Sequence, residues 1–278
     1  MYIVDFFIWI AIFSITIAIS SWLWETLGVA IASQGLIMNT AALIFVISQQ
    51  AHFNYFFSLS LALLTGTVLS LIHLIILKFT SKDILLIVSV LLNFLWNELW
   101  LSLPKWTGGS GGILLDINLL MAVLSISVAA LATIVFFKTI LPRTNFIFFR
   151  TVARELGFFC GMLGVSTLHL FFFGFIFVGL ILSLLGVSGV QSSGVLTQNL
   201  FSTSWSLSVL TIVIAPNISN FNRILILPIL FILIRHYLRQ VIPPAIATSQ
   251  IIEFIFPATV LLWSHFKTVK RELSYDSF

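Results

Sequence analysis

Between Ile3 and Leu23 the chain carries one charged side chain, Asp5, in twenty-one positions, and runs of similar length and character recur almost to its end. A hydrocarbon core about 30 Å thick is crossed by roughly 20 helical residues. Inside that core a helix is the open-chain structure that satisfies its own backbone. The composition carries the same bias: 60% of the 278 residues are hydrophobic and 8% charged, with a mean hydropathy of +1.16. A water-soluble domain carries about 25% charged residues, so a soluble fold is excluded. A nucleic-acid surface is excluded too, because the net charge of +4 comes from scattered loop residues and not from a basic patch.

About nine spans, within a range of eight to ten, are expected near 3–23, 28–48, 53–79, 83–103, 113–141, 165–186, 194–214, 224–240 and 244–266. The fold class is all-α, a polytopic transmembrane helical bundle in one domain over 1–278. The first run lacks a basic flank and reads as a span, not a removable signal. The span at 28–48 carries Ser33, Gln34, Gly35, Asn39 and Thr40 at its centre, and the span at 83–103 carries Asn93, Asn97 and Glu98. Lipid cannot satisfy such groups, so these segments face protein or water. The seventh span, sprinkled with Ser, Thr, Gln198 and Asn199, reads as broken or partly re-entrant. Pro104 and four glycines make 103–112 a loop; 187–194 reads as an outer loop and 215–223 as a turn.

One interruption is long and polar, Pro142 to Gly164. Lys138, Arg143, Arg150 and Arg154 place four of the thirteen basic residues within seventeen positions, which assigns this stretch to the cytoplasmic side. Its core, Phe149 to Phe159, suits a short helix lying on the inner face between two spans, where it can receive force. Lys78 and Lys82 mark a second cytoplasmic loop, and 267–278 forms a basic cytoplasmic tail. Arg235 and Arg239 fall near the outer end of the eighth span, against the rule.

Signals of chemistry are sparse. Cys160 is the sole cysteine, and His52, His73, His169, His236 and His265 are scattered without metal-ligand spacing. There is no phosphate-binding loop of the form G-x-x-x-x-G-K-[ST]. No catalytic residues, metal or cofactor are expected, and any ATP must be bound by another polypeptide.

Four stretches carry a resemblance to a known family. SQGLIMNTAALIF, Ser33 to Phe45, stands where the family has a segment like GQLSFGHAAF. Ile76 to Leu99 followed by WTGGSGGI, Trp106 to Ile113, is similar to a family stretch that ends in a glutamate, TGG and a Gly-Ile pair, with Glu98 on the glutamate. RTVARELGFFCGMLGV, Arg150 to Val165, resembles its cytoplasmic loop, with Arg154 and Glu155 on an Arg-Glu pair and Gly164-Val165 on a Gly-Ile. Ala215 to Ile224 replaces a glycine-rich turn without a glycine. The pattern resembles the permease subunits of ABC importers of the branched-chain amino-acid (Liv) type.

The resemblance implies a bacterial cytoplasmic-membrane permease that imports an amino acid or related small polar solute. Its partners would be two ABC ATPase subunits, a second permease and an extracytoplasmic binding protein. Arg150, Arg154 and Glu155 of the 142–164 segment would couple to the ATPase, and Gln34, Asn39, Thr40, Asn93 and Glu98 would line the solute path. The alternative is an integral-membrane enzyme or a subunit of a respiratory or lipid-processing complex. A secondary transporter would want inverted repeats and more intramembrane charge.

Overall fold

The computed structural model describes residues 2–140, 167–215, 222–241, 258–260 and 262. The helices are α1 (Tyr2–Leu27), α2 (Gln34–Gln50), α3 (Tyr55–Phe79), α4 (Lys82–Ser102), the single turn α5 (Pro104–Thr107), α6 (Leu119–Val135), α7 (Thr167–Ser193), α8 (Thr203–Ile214) and α9 (Leu227–Val241). π-Helical turns follow α6 at Phe136–Ile140 and precede α9 at Asn222–Ile226. Two short strands, β1 (Ile113–Leu114) and β2 (Val195–Leu196), pair antiparallel. Among the described residues, five helices are long and apolar enough to cross a membrane: α1, α3, α4, α6 with its π turn, and α7.

Several starts follow from one device. Asn54, Ser81, Asn118 and Ser202 each accept a hydrogen bond from the backbone N–H three residues on, which satisfies an otherwise unpaired donor of α3, α4, α6 and α8. α7 is the central post. In its most apolar window 67% of residues are buried, against 22% in α4 and 28% in α3 and α6, and it packs on α1, α2, α3 and α6. Small residues let α3 and α7 close up. Ser70 Oγ donates to Phe175 O at 2.6 Å, and a Cβ on Gly179 would stand 2.7 Å from Gly66 O. Close backbone approach of this kind is how helices associate where lipid is as apolar as the side chains.

The two ends differ in charge. At one end Lys82 Nζ donates to Leu27 O at 2.9 Å, Arg223 pairs with Glu25 at 2.9 Å, and Phe136 stacks edge-on to Trp22, which gathers Lys78, Lys82, Lys138 and Arg223 there. At the other end Ser192 donates to Asp5 at 2.9 Å, β1 pairs with β2, and Trp100 Nε1 donates to Gly109 O; Lys105 is in that group.

Some boundaries depart from expectation. The second helix begins only at Gln34, because 28–33 is a buried non-helical stretch. The fifth begins at Leu119, its first residues being given to β1 and the loop after it. α7 continues through 187–193, so no outer loop lies there; the turn is Gly194, at φ +70°. The seventh expected span, by contrast, agrees with its reading as broken: it contains a helix of only 12 residues, α8. The 142–164 segment, most of the 244–266 span and the 267–278 tail lie outside the described residues.

Candidate functional site

α2 and α8 have 17 and 12 residues, about 26 and 18 Å at 1.5 Å per residue, so neither crosses a bilayer alone. α2 runs away from the basic end and α8 toward it, and their first turns meet in the interior. Gly35 makes the meeting possible. Its N–H donates to Ser206 Oγ at 2.8 Å, and a Cβ there would stand 2.5 Å from Phe201 O. Asn93 of α4 closes the node by donating from Nδ2 to Ala32 O at 3.0 Å and to Ser206 Oγ at 2.9 Å.

The same helix secures the non-helical stretch before α2, for Ser89 Oγ accepts from Ala32 N–H at 2.8 Å. Gln34 Nε2 donates to Ile31 O at 2.6 Å and to Ser20 Oγ at 3.2 Å. Further along, Asn39 Nδ2 donates to the carbonyls of Gln198 and Phe201 at 3.3 and 3.1 Å. Asn97 Nδ2 donates to Thr203 Oγ1 at 2.8 Å, and Gln198 Nε2 returns a bond to Asn97 O at 3.1 Å. Together these residues form a polar seam between α2, α4 and α8.

The seam is unbalanced. Gln34, Asn39 and Asn93 are at most 1% exposed, and each donates its amide N–H to a backbone carbonyl. A carbonyl only accepts, so each carboxamide's orientation is set. Gln34 Oε1, Asn39 Oδ1 and Asn93 Oδ1 then lie buried with no donor among the described residues. Leaving such an acceptor unmatched costs about 1–3 kcal/mol each.

Beside the seam, Ser33 Oγ stands 2.6 Å from His73 Nε2, and His73 Nδ1 stands 2.8 Å from Leu69 O. The Leu69 carbonyl requires a proton on Nδ1, so Nε2 accepts from the Ser33 hydroxyl. Ser33 consequently makes no capping bond at the start of α2.

Among the expected path residues, Gln34, Asn39 and Asn93 come together in the seam. Thr40 is half-buried and donates back to Leu36 O at 2.7 Å, while Glu98 is exposed one position past Asn97. The coupling residues Arg150, Arg154 and Glu155 lie outside the described residues. Ser89, His73 and Ser206 hold the seam together with Ser33 without having stood out as bonding partners in the sequence. The one available signal was a histidine in the middle of the membrane-length run 55–79. Arg235 is buried, its guanidinium 5.5 Å from the Trp205 ring, which also packs on Phe13 and Phe231. Among the described residues no three His, Cys, Asp or Glu side chains group to hold a metal ion.

The chain matches no protein-family model, no curated protein and no solved structure. It is a helical membrane protein whose interior contains a polar seam between two half-length helices.

Proposed function

We propose that the chain is the membrane-embedded permease subunit of an ATP-driven importer in a bacterial cytoplasmic membrane, moving a small polar solute such as an amino acid or a related compound. The observation that carries this reading is the set of donorless carboxamide oxygens of Gln34, Asn39 and Asn93 along the α2–α4–α8 seam. In an apolar body such acceptors suit a path through which water or a donor-bearing solute passes. Half-helices that meet in the membrane interior offer polar backbone ends without exposing them to lipid. The cluster of Lys78, Lys82, Lys138 and Arg223 supports a cytoplasmic side at its end of the molecule. ATP is bound by a partner, and the 142–164 segment, through Arg150, Arg154 and Glu155, transmits its closure to the spans on either side. A second permease and an extracytoplasmic binding protein complete the assembly.

Purification from mild detergent tests this. An ATPase should co-purify, and its yield should fall when Arg154→Glu and Glu155→Arg are introduced together. Failure of any ATPase to accompany the intact chain would overturn the reading.

The Ser33–His73 pair favours a second reading, a membrane enzyme, because a hydroxyl bonded to an oriented imidazole is how a serine nucleophile is activated. Covalent labelling of Ser33 by a fluorophosphonate, lost in Ser33→Ala, would establish it. Both residues are fully enclosed, at 0% and 1% exposure, so a substrate would reach Ser33 only when the surrounding helices part.

A further inference from the structure

A cleft of about 460 Å³ opens at the basic end, where α3 stops, α4 starts and α7 passes beside them. Leu74, Leu77 and Phe171 form its apolar wall, and Lys78, Ser81 and Lys82 stand at its polar side. The neighbouring carboxylate of Asp83 is not part of the lining. Lys78 is exposed, with its ammonium 5.7 Å from the Phe79 ring, and Lys82 anchors on Leu27 O at 2.9 Å. On the adjoining face of α3, Ile72, Ile75 and Phe79 are exposed large apolar side chains of a membrane-length helix. The cleft therefore sits at the level where hydrocarbon gives way to headgroups, apolar on one side and cationic on the other.

We propose that this cleft holds an anionic phospholipid of the leaflet at the basic end, its phosphate between Lys78 and Lys82 and the first acyl carbons against Leu74, Leu77 and Phe171. Basic pockets between helix ends take anionic headgroups by charge, and the hydrocarbon wall selects a lipid over a free phosphate. The assignment rests on the membrane character of the fold and is independent of the permease reading.

The test is lipid retention. The full chain is reconstituted in bilayers of equal phosphatidylglycerol and phosphatidylcholine, extracted in mild detergent, and its bound lipid read by mass spectrometry. The wild type should retain phosphatidylglycerol in preference. Because a lysine near an anionic surface contributes about a fivefold preference, Lys78→Gln should lower the ratio by about fivefold. Lys78→Arg/Lys82→Arg should preserve it, and Leu77→Trp, which fills the wall and leaves both charges, should reduce retention of either lipid. Lys105→Gln, at the opposite end, should change nothing. Equal retention of the two lipids, an unchanged ratio in Lys78→Gln, an equal loss in Lys105→Gln, or displacement by millimolar inorganic phosphate would each overturn the proposal.

Discussion

The backbone N–H of Gly35 donates to the hydroxyl of Ser206 at 2.8 Å, a bond between the first turns of two half-length helices 171 residues apart in the chain. The same oxygen accepts from Asn93 Nδ2 at 2.9 Å. One serine thus ties α2, α4 and α8 together at the point where a continuous helix is absent and backbone groups need partners. In a medium without water that requirement is severe, so this node decides whether the seam exists at all.

Gly35→Ala tests the closeness of that meeting. The added Cβ would stand 2.5 Å from Phe201 O and 2.8 Å from Ser206 Oγ, and the first is backbone that cannot swing away. Overpacking of this kind costs about 1–3 kcal/mol. The thermal midpoint in detergent should fall by several degrees, whereas Gly111→Ala, with nothing within 4 Å of its Cβ, should leave it in place. Equal midpoints for the two variants would show that the helices do not approach as described.

Asn93 should tolerate neither of two substitutions, but for different reasons. Asn93→Leu removes both donors and leaves Ala32 O without its side-chain partner, at about 1–3 kcal/mol for the stranded carbonyl, while Ser206 Oγ keeps the Gly35 N–H. Asn93→Asp also sets a carboxylate against the Ala32 carbonyl, adding the insertion cost of about 2.5–3.5 kcal/mol for an aspartate within a span. The order of accumulation in membranes should be wild type, then Asn93→Leu, then Asn93→Asp. An aspartate variant that accumulates as well as the wild type would mean that Asn93 faces water.

The spans were readable because a run of about twenty apolar residues has few other uses, and Gln34, Asn39 and Asn93 were readable as inward-facing because lipid offers them nothing. The break in 194–214 was readable from its Ser, Thr, Gln198 and Asn199; the break before α2 was not. GVAIA, Gly28 to Ala32, is as apolar as a helix, and its non-helical course depends on Ser89 and Asn93, 57 and 61 residues away from Ala32. The opposite happened at 187–194, where Ser and Gly suggest a loop. There Gly189 packs against Phe201 and Ser188 donates back to Leu184 O at 2.7 Å, so the helix continues. Small residues loosen a helix in water and let it pack tightly in a membrane. Ser206 escaped notice because serine is common throughout the chain, and His73 stood only as one of five scattered histidines because a lone histidine in sequence has no visible partner.

Ser33 and His73 should behave as a coupled pair. Ser33→Ala leaves Nε2 an orphaned buried acceptor, and His73→Phe strands the Ser33 hydroxyl, while Leu69 O keeps its helical partner, the backbone N–H of residue 73. Once one partner is gone, removing the other loses less. A double-mutant cycle on thermal or denaturant unfolding should therefore give an interaction energy of about 1–2 kcal/mol, within the range for residues in direct contact. Additive effects would mean that the 2.6 Å contact contributes nothing to the folded state.

Glu25 and Arg223 form an ion pair at 2.9 Å whose side chains are 29% and 9% exposed, and Arg223 Nη2 also donates to Ala215 O at 3.1 Å. The pair joins the end of α1 to the turn before α9 and to the end of α8. Loss of one member of a fully buried pair costs about 3–5 kcal/mol because a charge is left uncompensated. The partial exposure of Glu25 lowers the expectation for Glu25→Gln to about 2 kcal/mol. At roughly 2–4 °C per kcal/mol for a chain somewhat smaller than this one, the midpoint should drop by about 5 °C. Arg223→Ala should cost more, since it also strands the Ala215 carbonyl and unties α8. If Arg223→Ala proves the milder of the two, the guanidinium does not hold α8 in place and the charge at this end serves only topology.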